Sequence, residues 1–182
     1  MRNTYLLLFI LIIHSSFILA QAGQCFGGGC AGPGNSYGAV QSTTSSTFVN
    51  SVPITWAGEY NTYNVTIGQQ YEWSLCPADG AVNPTGDAQL TLKTTANTNI
   101  CYSDDVCGWQ PKILWTATFT GQVRVLINQY NCATNTNSHT VRWRNVPPAV
   151  PAYQSSWVAM NTGTSNWCPG ETRTVSVTVT NN

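Results

Sequence analysis

The chain has 182 residues, a net charge of zero from seven basic and seven acidic side chains, and only 8% charged residues, against about 25% in an ordinary soluble protein. So sparse and balanced a charge excludes a nucleic-acid binder, which needs clustered Lys and Arg to displace counterions, and a polybasic membrane-surface binder. It does not make the chain disordered, because 42% hydrophobic residues with seven Trp and eight Tyr are enough to build a core.

The N-terminus reads as a secretory signal over residues 1–22. Arg2 supplies the positive end, residues 5–13 form a continuous apolar run, and Ala20-Gln21-Ala22 fits the small-x-small cleavage pattern. The expected location is therefore extracellular or on the cell surface, with no membrane segment once the signal is removed. In an oxidising compartment the seven cysteines are expected to pair. Zinc is disfavoured because the only histidine after the signal, His139, lies in a Thr/Asn-rich stretch away from any cysteine pair.

Residues 23–47 are rich in Gly, Ser and Thr and lack apolar periodicity, so they read as a flexible leader. Cys25 and Cys30, separated by Phe26 and three glycines, are expected to close a small loop there. The main domain is expected over 48–145. Tyr63, Val65 and Ile67 alternate with polar residues, as do Tyr71, Trp73 and Leu75, then Leu90 and Leu92, then Val123, Val125 and Ile127, then Val141 and Trp143. Residues 112–119 add a further apolar run. About eight short strands separated by Gly, Asn and Pro turns predict an all-β, antiparallel sandwich or jelly roll. Residues 146–152 read as a stiff Pro-rich linker. Residues 153–182 carry two more strand-like runs, too few to bury a sandwich core, and so predict a partial second β-module. The alternating tail 172–180 could complete another sheet, which implies self-assembly by strand exchange.

Between the strand patterns at 89–94 and 112–119 lies Cys101-Tyr102-Ser103-Asp104-Asp105-Val106-Cys107-Gly108-Trp109. Adjacent carboxylates on a loop can supply two oxygen ligands to a hard cation, so Asp104 and Asp105 are the candidate calcium ligands. Glu59, Glu72, Asp79 and Asp87 are possible third partners. A solvated acidic turn is the plain alternative. Cys76, Cys101, Cys107 and Cys132 allow three pairings. Cys76 with Cys107 and Cys101 with Cys132 is favoured, and a local Cys101–Cys107 clasp is the rival. Of the tryptophans, Trp109 follows a turn instead of occupying an alternating strand position. It is the candidate binding residue, by stacking on a sugar ring. One histidine without a nucleophile motif, and two acids side by side instead of across a cleft, argue against an enzyme.

Several runs carry a family resemblance: Trp56-Ala57-Gly58-Glu59-Tyr60, Tyr71-Glu72-Trp73-Ser74-Leu75-Cys76, Gln89-Leu90-Thr91-Leu92, Tyr102-Ser103-Asp104-Asp105-Val106-Cys107-Gly108 and Gly121-Gln122-Val123-Arg124-Val125. Over residues 56–143 the chain resembles the pre-peptidase C-terminal-like (PPC-like) β-sandwich of secreted and surface bacterial proteins. The resemblance implies a non-catalytic appendage, with calcium or polymer binding in some relatives. Residues 167–182, from Trp167-Cys168-Pro169-Gly170 onward, resemble the start of an immunoglobulin-like FW (four-tryptophan) domain, which would leave Cys168 without its partner. The expected function is a non-catalytic, secreted or surface-displayed module of a modular bacterial adhesion or matrix protein. The alternatives are a carbohydrate-binding accessory module of a polymer-degrading enzyme and a structural subunit assembling by strand exchange. The expected partners are an extracellular polysaccharide or a surface protein.

Overall fold

The computed structural model describes residues 22–52, 55–82 and 86–147. By internal contacts the chain divides into units 1–149 and 150–182. The second unit lies outside the described residues, as does residues 1–21 of the signal segment. The expected partial immunoglobulin-like module, with Cys168 and the strand-exchange tail, therefore falls outside them too.

The described residues form an all-β sandwich. Its strands are β1 (Asn35–Ser36), β2 (Val49–Asn50), β3 (Thr55–Trp56), β4 (Glu59–Val65), β5 (Gln70–Ser74), β6 (Ala88–Thr94), β7 (Asn99–Ser103), β8 (Lys112–Thr116), β9 (Gly121–Gln129), β10 (Ser138–His139) and β11 (Arg142–Val146). One sheet has the order β1-β4-β9-β6-β7 and the other β2-β11-β5-β8, while β3 and β10 form a separate two-stranded ribbon. All pairings between named strands are antiparallel except β1 with β4. The five alternating patterns and the apolar run at 112–119 read from the sequence are present as β4, β5, β6, β9, β11 and β8, apart from small shifts at their ends. Val146, expected to open the linker, pairs with Gln70 as the last residue of β11.

Alternation explains the core. Tyr63, Val65, Leu90, Leu92, Val123, Val125 and Ile127 from the larger sheet meet Tyr71, Trp73, Ile113, Trp115, Val141 and Trp143 from the smaller one. At the centre Tyr63 packs edge-on against Trp143, with ring centroids 4.7 Å apart, and against Trp73 at 5.6 Å. Trp73 and Trp143 lie in register on neighbouring strands with parallel rings. Aromatic pairs of this kind contribute roughly 0.5–1.5 kcal/mol beyond area burial.

Strand β5 is buried on its outer face as well, where four charged side chains gather. Glu72 accepts from Arg144 Nε at 2.7 Å and pairs with Lys112 at 3.6 Å, and Lys112 reaches Asp79 at 2.8 Å. The Phe48 ring lies under the Arg144 guanidinium, 4.4 Å from its centroid.

Residues 23–47 are not a flexible leader. They wrap the sandwich. Gln24 bridges Ile113 on β8 and Phe26 bridges Tyr102 on β7, so one short stretch closes the open side between the two sheets. The chain then crosses the outer face of the larger sheet, where Cys30 N–H donates to Thr91 Oγ1 and Cys30 packs with Tyr60 and Leu126. On the far side Gln41 bridges Tyr63 on β4, and Ser45 O accepts from Asn145 N–H on β11. Both sides of the sandwich are thus covered where edge strands would otherwise offer unpaired backbone. The glycines serve contact here: a Cβ on Gly29 would stand 2.7 Å from Thr91 Cγ2, and one on Gly34 would stand 2.5 Å from Leu126 Cδ1.

The cysteines follow this path. The disulfides are Cys25–Cys101, Cys30–Cys132 and Cys76–Cys107. The Cys76–Cys107 pairing expected from the sequence is present. The expected Cys25–Cys30 loop and Cys101–Cys132 pair are corrected, and the rival Cys101–Cys107 clasp is absent. Cys25 is held beside β7 by its neighbours' backbone bonds, and five residues later the chain has crossed to the turn after β9.

Candidate functional site: the acidic loop end

The two ends of the sandwich are built differently. At one end, tight turns join β4 to β5, β6 to β7 and β8 to β9. At the other, the longer connections between β5 and β6, β7 and β8, and β9 and β11 converge, and all three are held by disulfides: Cys76–Cys107 joins the first two and Cys30–Cys132 anchors the third. Loops set on a rigid scaffold are where binding residues concentrate.

Asp104 and Asp105 leave β7 at this end, and Asp87 enters β6 beside them. The register makes this inevitable: Leu90 pairs with Ser103, so continuing the ladder puts Asp104 opposite Gln89 and Asp105 opposite Ala88. Gln89 Nε2 donates to Asp104 Oδ2 at 2.8 Å. Asp105 has a left-handed backbone, φ 41°, which turns the chain out of the strand. The loop is closed by Val106 and Cys107, whose N–H groups both donate to Gln110 O. Gln110, 7% exposed, donates its Nε2 to Gly86 O at 2.7 Å, tying the acidic loop to the residue before Asp87.

Asp87, Asp104 and Asp105 bring three carboxylate oxygens within 4.8 Å of one another. Oxygens on opposite sides of a calcium ion stand about 4.6–5.2 Å apart, twice the usual Ca–O distance. Two buried oxygens of this cluster, Asp87 Oδ1 and Asp104 Oδ1, and Gln110 Oε1 on the same loop have no hydrogen-bond partner among the described residues. The carboxyl of Asp87 is raised above its ordinary value, first by burial and then by the charges of Asp105 and Asp104. The salt bridges of the described residues lie elsewhere, around Glu72 and Asp79. Of the four possible third partners read from the sequence, Asp87 is the one brought to the pair. Glu59 is engaged with the Trp56 N–H, and Glu72 and Asp79 belong to the cluster on β5. The sequence signal for Asp87 was its place just before a strand adjacent to β7, legible only once that pairing is known.

Trp109 stands on the same loop and is 70% exposed, while Trp73, Trp115 and Trp143 are core residues. Its carbonyl accepts from Ala88 N–H, and the N–H of Tyr130, also exposed, donates to Asp87 O. Two exposed aromatic residues therefore flank the acid cluster. His139 is not a candidate base: it is buried against Gln129 at 3.1 Å, and burial pushes its pKa down to about 4.

Fold and site together define a disulfide-braced, all-β sandwich module with an acidic loop end. Residues 49–146 match the family described as a domain of unknown function (DUF8695), and the chain belongs to that family. No curated protein matches the chain significantly. Among solved structures, the chain is similar to the pre-peptidase C-terminal domain of collagenase from Bacillus anthracis, with a TM-score of 0.38 and 12% identity over 59% of this chain and 94% of that one.

Proposed function

We propose that this chain is a non-catalytic extracellular module whose loop end binds calcium and presents Trp109 to a partner on a surface or in a matrix, as part of a modular bacterial adhesion or matrix protein. The observation that carries the reading is the pair of unpartnered buried oxygens on Asp87 and Asp104 within a cluster of three carboxylates. Buried oxygens without donors are costly to leave unmade, and a hard cation is the partner that satisfies several at once. The ion would also cancel the repulsion among the acids. Three disulfides suit an oxidising compartment. An exposed Trp beside an ion is suited to an apolar or sugar face of a partner.

Isothermal titration of calcium into chelator-treated protein tests the reading. The expected result is a single saturable site, lost in Asp104→Asn/Asp105→Asn and in Asp87→Asn. No heat of binding in the wild type, or equal heat in the variants, would remove the cation site.

A further inference from the structure

We propose that a second face of the molecule, the groove between Tyr37 and Trp56, binds a neutral polysaccharide. The groove has a volume of about 630 Å³ and is lined by Tyr37, Asn50, Val52, Trp56, Ser138 and Thr140. It lies beside the β3–β10 ribbon, where Trp56 is opposite Ser138.

The lining has the chemistry of sugar recognition. Trp56 is 50% exposed and Tyr37 44%, so two aromatic side chains border the groove, with the exposed Val52 adding apolar surface. Among the described residues the other lining side chains are hydroxyls and one amide, Asn50, whose Oδ1 accepts from Arg142, and none of them is charged. Among the described residues the side-chain hydroxyls of Tyr37, Ser138 and Thr140 make no hydrogen bond within the protein. Aromatic rings cover the C–H faces of pyranose rings, and free hydroxyls and amides exchange hydrogen bonds with sugar hydroxyls. The described lining side chains carry no charge to offer a charged polymer, and an extended peptide would find no long edge, because β3 and β10 are only two residues each.

The walls are also held in advance of any ligand. Asn61, buried in β4, connects them: its Oδ1 accepts from Thr55 Oγ1 on β3 at 3.2 Å, and its Nδ2 donates to Tyr37 O at 2.7 Å. Tyr37 N–H donates to Tyr60 O, and Trp56 N–H donates to Glu59 Oε2 at 2.8 Å. Backbones fixed in this way lose little entropy on binding, which is what makes a shallow sugar site effective. This groove does not include the acid cluster, so its use is independent of the proposed cation.

Affinity electrophoresis of the full chain tests it, in native gels containing hydroxyethylcellulose, laminarin or galactomannan, with alginate and gelatin gels beside them and chelator present throughout. The expected result is retardation by at least one neutral polymer, not by alginate or gelatin. Trp56→Ala and Tyr37→Ala should each weaken it by tenfold or more, and Trp56→Phe should keep most of it. Ile67→Ala, an exposed position on the tight-turn end, should change nothing. Thermal melting of each variant separates lost binding from lost fold, since both aromatic residues are half exposed. Retardation by gelatin alone, no retardation by any neutral polymer, or retardation unchanged in folded Trp56→Ala and Tyr37→Ala protein would each overturn the proposal. Titration of calcium reports on the acid cluster separately, so either site can fail without the other.

Discussion

Cys30 and Cys132, 102 residues apart in the chain, are joined across the outer face of the larger sheet, and their bond holds the Gly-rich segment to the turn after β9. A closed loop of about 100 residues restricts the unfolded chain by roughly 4.7 kcal/mol in the chain-entropy account, although native disulfides deliver about 2–5 kcal/mol in practice. The double change Cys30→Ala/Cys132→Ala is expected to cost within that range in urea denaturation. A loss below about 1 kcal/mol would mean that the segment is held without the bond.

The glycines of the same segment are expected to differ sharply from one another. Gly29 has φ +99° and its Cβ position is occupied by Thr91, whereas Gly27 has open space around it. Gly29→Ala should therefore cost about 1–3 kcal/mol, from a strained backbone and from overpacking. Gly27→Ala should stay within about 0.5 kcal/mol of the wild type. Equal effects in chemical denaturation would contradict the close contact between this segment and β6.

These two positions also show what the sequence could and could not disclose. The alternation of Tyr63 with Val65, or of Val123 with Val125 and Ile127, announces a strand because a pleated chain sends every second side chain inward. That signal is local, and it placed β4, β5, β6, β9 and β11. Gly29 carries no such signal. A glycine chosen for mobility and a glycine chosen so that backbone can lie flat on a sheet are identical in a sequence, and the leader was misread for that reason. The disulfides divide in the same way. Cys76–Cys107 staples two loops at the end of adjacent strands, while Cys25–Cys101 and Cys30–Cys132 depend on the path of the wrapping segment. Asp104 and Asp105 were visible as a pair, but Asp87 and Gln110 join them only through the β6–β7 register and the return of the loop. The groove between Tyr37 and Trp56 needed both the ribbon and the wrapped segment, so no stretch of sequence contained it.

His139 should make stability depend on pH. Its folded pKa, about 4, lies below the ordinary 6.5 of the unfolded chain. A lowered folded value means that the unfolded chain takes up the proton first. The contribution is complete above pH 6.5 and is lost as pH falls toward 4, by on the order of 3 kcal/mol in total. The wild type should lose stability over that window, and His139→Gln, which still offers a side-chain partner to Gln129, should lose less. Parallel curves for the two proteins would contradict the buried neutral imidazole.

Glu72 holds the outer face of β5 together, between Arg144 at 2.6 Å and Lys112 at 3.6 Å, with its own side chain 5% exposed. Removing one charge from a buried ion group leaves the others uncompensated and typically costs about 3–5 kcal/mol. Glu72→Gln is expected to fall at or just below that range, because Arg144 retains partial solvent contact. A change of less than about 1 kcal/mol in denaturation at neutral pH would show that the cluster is solvated and not sealed.

The most direct test of the account is the melting temperature of the wild type and of Asp104→Asn/Asp105→Asn, each with calcium and with chelator at matched ionic strength. A ligand that binds only the folded state stabilises it by about 2.7 kcal/mol at a hundredfold excess over its dissociation constant. Burial and the neighbouring acids raise the Asp87 carboxyl, so its ionised form is unfavourable in the folded protein without a cation, and that cost grows as pH rises through its folded value. Calcium should therefore raise the wild-type melting temperature by several degrees at pH 7 and by progressively less as pH falls, because the raised Asp87 carboxyl takes up a proton and is lost as a ligand. In chelator at pH 7 the double variant should match or slightly exceed the wild type, since it removes like charges, and calcium should leave it unchanged. A wild-type melting temperature indifferent to calcium, or a rise of equal size in the variant, would contradict the cation site at Asp87, Asp104 and Asp105.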